Sequence, residues 1–241
     1  MTKSELLKVA KPILFNTEMV RAILEGRKTV TRKIVKPMLR DDEYGFCVWY
    51  NKITENHVVE KYDEDGGSFS PTRYVNSQYH KGDILYVRET AKTQSMKRFK
   101  KSVKLLFKAD DKLQEFKVSD EFYKKLSGYS QGKWLSPYYL TKEVARIFLK
   151  VTDVRVERLK DITEAEAKAE GIRSYFLHKE HGGEWREFKY FFMGADWSAH
   201  QTRKKAFANL WNSTIKKQDL DKYSWEANPW VWVYEFERIE I

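Results

Sequence analysis

The 241-residue sequence predicts an α+β fold in a single domain, a twisted β-barrel with a few short helices on its outside. Three observations point there. Strand-like runs outnumber helical ones. The helical runs are short, and most are bracketed by a capping residue and a glycine. The final run, Trp230 to Ile241, is a strand rich in aromatic residues. No Pro-, Gly- or Ser-rich stretch marks a linker, so the domain is taken as residues 1–241.

Pro12 to Phe15 is a short apolar strand. Asn16 or Thr17 then caps a helix whose apolar face is Met19, Val20, Ile23 and Leu24. Gly26 stops it as a left-handed C′ residue. Lys28 to Val35 returns to β character through Thr29, Val30, Thr31, Ile34 and Val35. Phe46 to Tyr50 and Val58 to Tyr62 read as a pair of strands, followed by a turn at Asp63 to Gly67. The turn Lys81-Gly82-Asp83 leads into a strand that runs to Glu89. Lys92 to Lys101 carries five Lys or Arg in ten positions and reads as a solvated loop. Val103 to Ala109 is another strand, and Ser119 opens a short helix closed by Gly128.

Val144 to Leu159 alternates, but neither face is purely polar, so a bent or two-part strand pair is expected. Thr163-Glu164-Ala165-Glu166 is a capping box for a helix that reaches Glu170 and stops at Gly171. Ser198-Ala199-His200-Gln201 is a second such box, opening a helix with Phe207, Leu210 and Trp211 buried and an end near Ile215. Trp211, Trp230 and Trp232 are expected in the core.

Composition narrows the function classes. Forty-five Lys and Arg against 35 Asp and Glu leave a net charge of +10, alongside 8 Trp, 14 Tyr and 14 Phe. Basic grooves with stacking rings hold single-stranded nucleic acid, and surplus lysine also simply keeps a protein soluble; composition leaves both readings open. One cysteine, Cys47, excludes a disulfide scaffold and a multi-cysteine zinc site, fits a reducing compartment, and reads as an inert thiol. No apolar run approaches the roughly 20 residues of a membrane helix, and no signal-type block is visible. A cytoplasmic protein with no membrane partner is expected.

Gly-rich phosphate loops, Gly-x-Gly-x-x-Gly, His-Glu-x-x-His and Gly-x-Ser-x-Gly are all missing from the sequence. His178 and His181 are three apart in a polar stretch without an evident third ligand, so neither a metal nor a cofactor is expected. What remains is Gly26-Arg27-Lys28-Thr29-Val30-Thr31-Arg32-Lys33. Structurally it reads as a helix stop followed by an edge strand whose cations discourage aggregation. Functionally it reads as a helix–strand corner aiming a Lys, a hydroxyl and guanidinium groups at an anionic or amide-bearing ligand.

This octapeptide, preceded by Ile13-Leu14-Phe15 and Ile23-Leu24-Glu25, resembles the opening motif of the ASCH domain of the PUA-like superfamily. Further blocks follow in that family's order: Lys81 to Thr90, Val151 to Leu159 leading into Asp161-Ile162-Thr163 and Glu170-Gly171-Ile172, then Phe207 to Trp211 with Asn228 to Val233. Together they cover about half the chain and are similar to the larger ASCH proteins of bacteriophages and prophages. Leu140 to Glu143 stands where those proteins often carry a Pro-Arg-Trp-like stretch, and Ala145-Arg146 keep the pattern. The resemblance implies a PUA-like mixed β-barrel with insertions at 38–80, 92–136 and 173–200.

It also implies a pocket around the motif that recognises RNA or a modified nucleoside or nucleotide, with Arg27, Arg32 and Arg146 contacting phosphate or base. One small branch of the family hydrolyses N4-acetylcytidine, and its catalytic positions match Lys28, Thr31 and Glu170 here. On that pattern Thr31 attacks the acyl carbonyl, Lys28 takes its proton, and Glu170 orients Lys28 or protonates the departing amine. A neutral Lys base needs its pKa lowered by roughly three units, a cost of about 4 kcal/mol. Binding without chemistry, amide hydrolysis, and an assembly role without a ligand are the three readings. Strand alternation sets a condition on the second: residues three apart face opposite sides, so Lys28 must lie in a turn or bulge.

Overall fold

The structure, a computed structural model, describes residues 2–36, 46–51, 56–61, 73–74, 77–129, 132–177, 186–191 and 202–240. Its elements run α1 (Lys3–Val9), β1 (Lys11–Leu14), α2 (Thr17–Leu24), β2 (Val30–Ile34), β3 (Phe46–Asn51), β4 (Asn56–Lys61) and β5 (Arg73–Tyr74). Then come β6 (Ile84–Arg88), β7 (Ala91–Lys97), β8 (Ser102–Phe107), β9 (Leu113–Lys117), α3 (Asp120–Ser127) and β10 (Trp134–Leu135). The rest are β11 (Phe148–Arg158), α4 (Glu164–Ala169), β12 (Arg173–Leu177), β13 (Arg186–Phe191), α5 (Arg203–Thr214), α6 (Leu220–Tyr223) and β14 (Trp230–Ile239). The class is mixed α+β. The strands divide among several sheets, and among the described residues none closes into a barrel. The strand-rich sequence suggested a single barrel because hairpins that build sheets of their own look locally like barrel staves.

Two compact units are present: Met1–Lys28 with Gly82–Lys150 and Phe236–Ile241, and Thr29–Lys81 with Val151–Glu235. Neither is a contiguous stretch, which is why no linker composition marks their boundary.

In the first unit, α1 is a helix the sequence reading passed over, although Thr2 and Glu5 form a reciprocal capping box on it. β1 pairs in parallel with β6, Ile13 opposite Val87, and the start of β11 pairs antiparallel with β6, Phe148 opposite Tyr86. The Asn16 side chain caps α2 by accepting from the Met19 N–H, and Gly26 takes φ +71° beyond the helix end. The Lys-rich stretch is not a loop. Residues 91–97 are strand β7, antiparallel to β8, and only 98–101 turn. Ala91 and Thr93 are buried while Lys92 and Gln94 face outward, so Lys92 and Lys97 belong to a strand, and Arg98, Lys100 and Lys101 to the turn that follows it. The opposite face, with Val103, Leu105 and Phe107 of β8 and Phe116 of β9, packs on Phe122 and Leu126 of α3. α3 is capped by Ser119 and ends at Gly128.

In the second unit, β14 runs antiparallel to β2, Thr31 opposite Tyr234 and Arg32 opposite Val233. β11 is one strand of 11 residues, not a bent pair. Its mixed faces reflect a change of surroundings along its length: Phe148, Leu149 and Val151 are buried, whereas Asp153, Arg155 and Glu157 form ion pairs. The expected pair β3 and β4 is antiparallel, Val48 opposite Val59; the turn at Asp63 to Gly67 lies outside the described residues. Thr163 and Glu166 make the anticipated capping box on α4, and Gly171 follows with φ +100°. α5 starts later than expected, at Arg203 with Thr202 as its cap, while Ser198 to Gln201 lie outside the described residues. Phe207, Leu210, Trp211 and Trp232 are buried; Trp230 is half-buried, with the Arg158 guanidinium 4.4 Å from its ring. No helix among the described residues is long and apolar enough to cross a membrane.

Candidate functional site

Strand β2 of the second unit organises two polar groupings, because alternation sends its side chains to opposite faces. Arg32 takes one face. Its side chain is fully buried, with Nη1 donating to Glu170 Oε1 at 3.2 Å and Nη2 lying 3.4 Å from Glu157 Oε2 and 3.3 Å from Glu166 Oε1. The ring of Phe207 lies 5.9 Å from the guanidinium carbon. Arg32 Nε is buried with no hydrogen-bond partner among the described residues. Next to this arginine, Arg155 bridges Glu157, Glu235 and Glu166, with Asp153 at 3.3 Å. Two guanidinium groups thus meet five carboxylates, a locally acidic cluster inside a basic protein.

These pairings explain the titration of the cluster. Burial pushes the Glu166 carboxyl up, but the Thr163 N–H and the charge of Arg32 more than offset it and hold the group below the usual range. Burial works against the Arg155 charge, yet its carboxylate partners raise its pKa overall.

Thr31 and Lys33 take the other face of β2, opposite Tyr234 and Trp232 respectively. Lys33 Nζ donates to Gln78 Oε1 at 3.2 Å and to the Tyr79 hydroxyl at 3.3 Å, and it sits 4.8 Å from the Tyr79 ring. Those partners are neutral, so burial acts unopposed and pushes the Lys33 ammonium down to about 8. Tyr79 and Tyr234 meet edge to face at 5.1 Å, and the Tyr234 hydroxyl lies 3.1 Å from Ser77 Oγ. Burial raises the Tyr234 phenol above its ordinary value.

The remaining candidates belong to the first unit. Lys28 stands before β2 in an isolated bridge, so strand alternation does not run from it to Thr31. It is 2% exposed, its Nζ lies 5.7 Å from the Phe15 ring, and its N–H donates to the Ala22 carbonyl. Arg27 is partly exposed and pairs with Glu25 at 2.6 Å. Arg146 makes four charge-assisted hydrogen bonds, two to Glu89 at 2.7 and 2.8 Å and two to Asp110 at 2.8 and 2.9 Å, and lies 3.9 Å over the Phe107 ring. Burial pushes the Glu89 carboxyl above its ordinary value, and Arg146 offsets part of that. The Asp110 carboxyl, more exposed, is lowered overall because Arg146 outweighs its burial.

The described contacts therefore bring Arg32 and Glu170 together, seat Thr31 beside Tyr234 and Lys33 on the other face of β2, and commit Arg146 to its own carboxylates. Sequence reading assigns Lys33 no role of its own within the motif and does not single out Glu157 and Glu166, which join Glu170 around Arg32. Counting two residues on from Thr31 flags the first, and the alternating Asp153, Arg155 and Glu157 flag the second. His178 and His181 lie outside the described residues. No protein-family model, curated protein or solved structure matches the chain.

Proposed function

We propose that the chain recognises RNA or a modified nucleoside through the segment Gly26 to Lys33, as a PUA-like ASCH protein, and binds its ligand without chemistry. A cytoplasmic location and a phage or prophage origin belong to the same proposal.

One observation carries it. Lys28, Thr31, Arg32 and Glu170 are four of the eight buried polar or charged residues among the described residues. Burying ionisable groups costs several kcal/mol unless they are paired, and at Arg32 one donor stays unpaired. A fold that concentrates this cost in one short motif and its helix partner does so for recognition more readily than for stability. The chemistry on offer favours a base over a phosphate. Arg32 is surrounded by carboxylates, and the partly exposed Glu157, Glu166 and Glu235 are acceptors suited to the exocyclic amino group of a cytosine-type base. Arg27 is the motif arginine that reaches solvent and suits a phosphate.

A second reading, hydrolysis of an N4-acylated cytidine-type nucleoside, has one local observation in its favour. Lys28 lies outside β2, which meets the condition that alternation sets on a Lys28–Thr31 pair. Against it, the Glu170 carboxylate accepts from Arg32, an arrangement that suits positioning a cation better than delivering a proton.

Incubation with N4-acetylcytidine, followed by mass spectrometry for cytidine and acetate alongside equilibrium binding, separates the two. The proposal expects saturable binding that survives Thr31→Ala, with no product. Time-dependent acetate release abolished by Lys28→Ala and by Thr31→Ala, in folded variants, would establish the hydrolase instead.

A further inference from the structure

The charge of the protein is not spread evenly. Residues 91–136 hold twelve Lys or Arg and five Asp or Glu, a net of +7 out of the whole chain's +10. Three of the six exposed large apolar side chains among the described residues, Phe99, Leu113 and Trp134, lie in the same region, and Tyr138 and Tyr139 follow directly. Four of these five are aromatic.

The sheet in the order β10-β7-β8-β9 arranges them. One face is the packed core of Val103, Leu105, Phe107 and Phe116. Alternation turns Lys104, Leu106 and Lys108 to the other face. Register places Trp134 beside Lys92, Lys92 beside Leu106, and Leu106 beside Leu113, an outward row that crosses all four strands. Trp134 is 41% exposed, and the Nζ atoms of Lys92 and Lys108 lie 4.9 and 5.6 Å from its ring. The acidic side chain on this face, Glu115, is occupied by Ser102 and Lys97. Beyond Lys97, the turn that closes β7 onto β8 carries Phe99 fully exposed between Arg98 and Lys100. From Lys92 to Lys97 the strand covers about 17 Å, so the two aromatic positions sit at opposite ends of a cationic track. At the Trp134 end, Arg88 donates to the carbonyls of Pro137, Tyr138 and Leu140 and holds in place the turn that presents Tyr138.

We propose that this outward face docks single-stranded nucleic acid, with a base stacking on Trp134 and the surrounding lysines neutralising phosphates. Open sheet faces that combine rings with cations bind unpaired strands, because any base offers a π-face and the backbone offers regular charge. A duplex hides its base faces and would leave the exposed rings unused. A membrane-seated surface would gather its apolar groups together with cations around the rim; here Trp134 stands against Lys92 and Lys108, Tyr138 against Arg88, and Phe99 lies between Arg98 and Lys100. The inference concerns a surface of the first unit alone and does not depend on how the Gly26 to Lys33 motif is read.

The test is fluorescence anisotropy of the full chain with a fluorescein-labelled 12-nucleotide oligouridylate at 50 and 200 mM KCl, with circular dichroism of every variant. Trp134→Ala is expected to weaken binding about tenfold, and Trp134→Leu, which keeps the apolar bulk, to weaken it as much. The Lys92→Gln/Lys108→Gln pair should weaken binding and reduce the slope of log affinity on log salt by about 1.4, at about 0.7 per phosphate contact. The charge-matched pair Lys8→Gln/Lys222→Gln, on exposed helix positions elsewhere, should stay within twofold of the parent protein. Binding unchanged by both Trp134 variants would overturn the proposal. So would capture by phosphatidylserine vesicles with no binding of the oligonucleotide.

Discussion

Arg32 and Lys33 are neighbours in sequence, and β2 sends them into opposite electrostatic surroundings. Arg32 stands among carboxylates, and its removal takes a cation away from Glu170, which is nearly as buried as the arginine. Arg32→Met is therefore expected to cost about 3–5 kcal/mol in chemical denaturation, the range for breaking one side of a buried pair. Arg155→Met, in a cluster open to water, should cost about 1 kcal/mol or less. Among the described residues Lys33 has only neutral partners, and it loses its proton near pH 8 in the folded chain, against 10.5 for an ordinary lysine. Between those values the unfolded chain holds the extra proton, so stability rises with pH across the interval and is flat below it. The rise is at most about 3 kcal/mol. Lys33→Met should abolish it and raise stability at pH 7, which denaturation at pH 7, 8, 9 and 10 would show. A lysine at this position is legible in the sequence, but its neutral partners Gln78 and Tyr79 arrive from 45 and 46 residues away.

Local signals were legible where an element is decided by its own residues. The Asn16 cap, the positive φ of Gly26 and the Thr163–Glu166 box follow from side chains within four positions of one another. Two consequences are measurable by thermal or chemical denaturation. Thr163→Ala should cost about 1 kcal/mol, because the Glu166 N–H loses the hydroxyl that accepts from it, while the backbone N–H of residue 163 still donates to Glu166. Gly26→Ala should cost about 1–2 kcal/mol through backbone conformation alone, since a Cβ there meets nothing within 4 Å. Elements decided by distant partners were misread. β7 looked like a loop because it runs into a turn that carries three of the stretch's five cations, and only pairing with β8 sets the strand apart from it. β11 looked like two strands because its outer half answers to ion pairs and its inner half to apolar packing. α1 was missed despite a capping box of the same kind as the one found at Thr163.

At the scale of the whole molecule, the sequence conveyed the α+β class and the net charge, but not their distribution. Strand-rich patterning without a linker suggested one barrel, whereas the chain crosses four times between two discontinuous units. That arrangement leaves no compositional trace, because two boundaries fall inside β11 and β14 and the other two lie in the short stretches that lead into β2 and β6. The charge likewise resolves into opposites: an acidic grouping around Arg32 and Arg155 in the second unit, and a basic sheet face in the first. The +10 of the composition therefore describes the sheet much more than the motif. The account centres on the motif as the place where a nucleoside is recognised. The measurement that bears on it most directly is photo-cross-linking with 4-thiouridine monophosphate, mapped by mass spectrometry after Glu-C digestion. Adducts within residues 26–35, or on Tyr79 or Tyr234, suppressed by excess unlabelled nucleoside, are predicted. Adducts confined to other segments, or indifferent to competition, would contradict it.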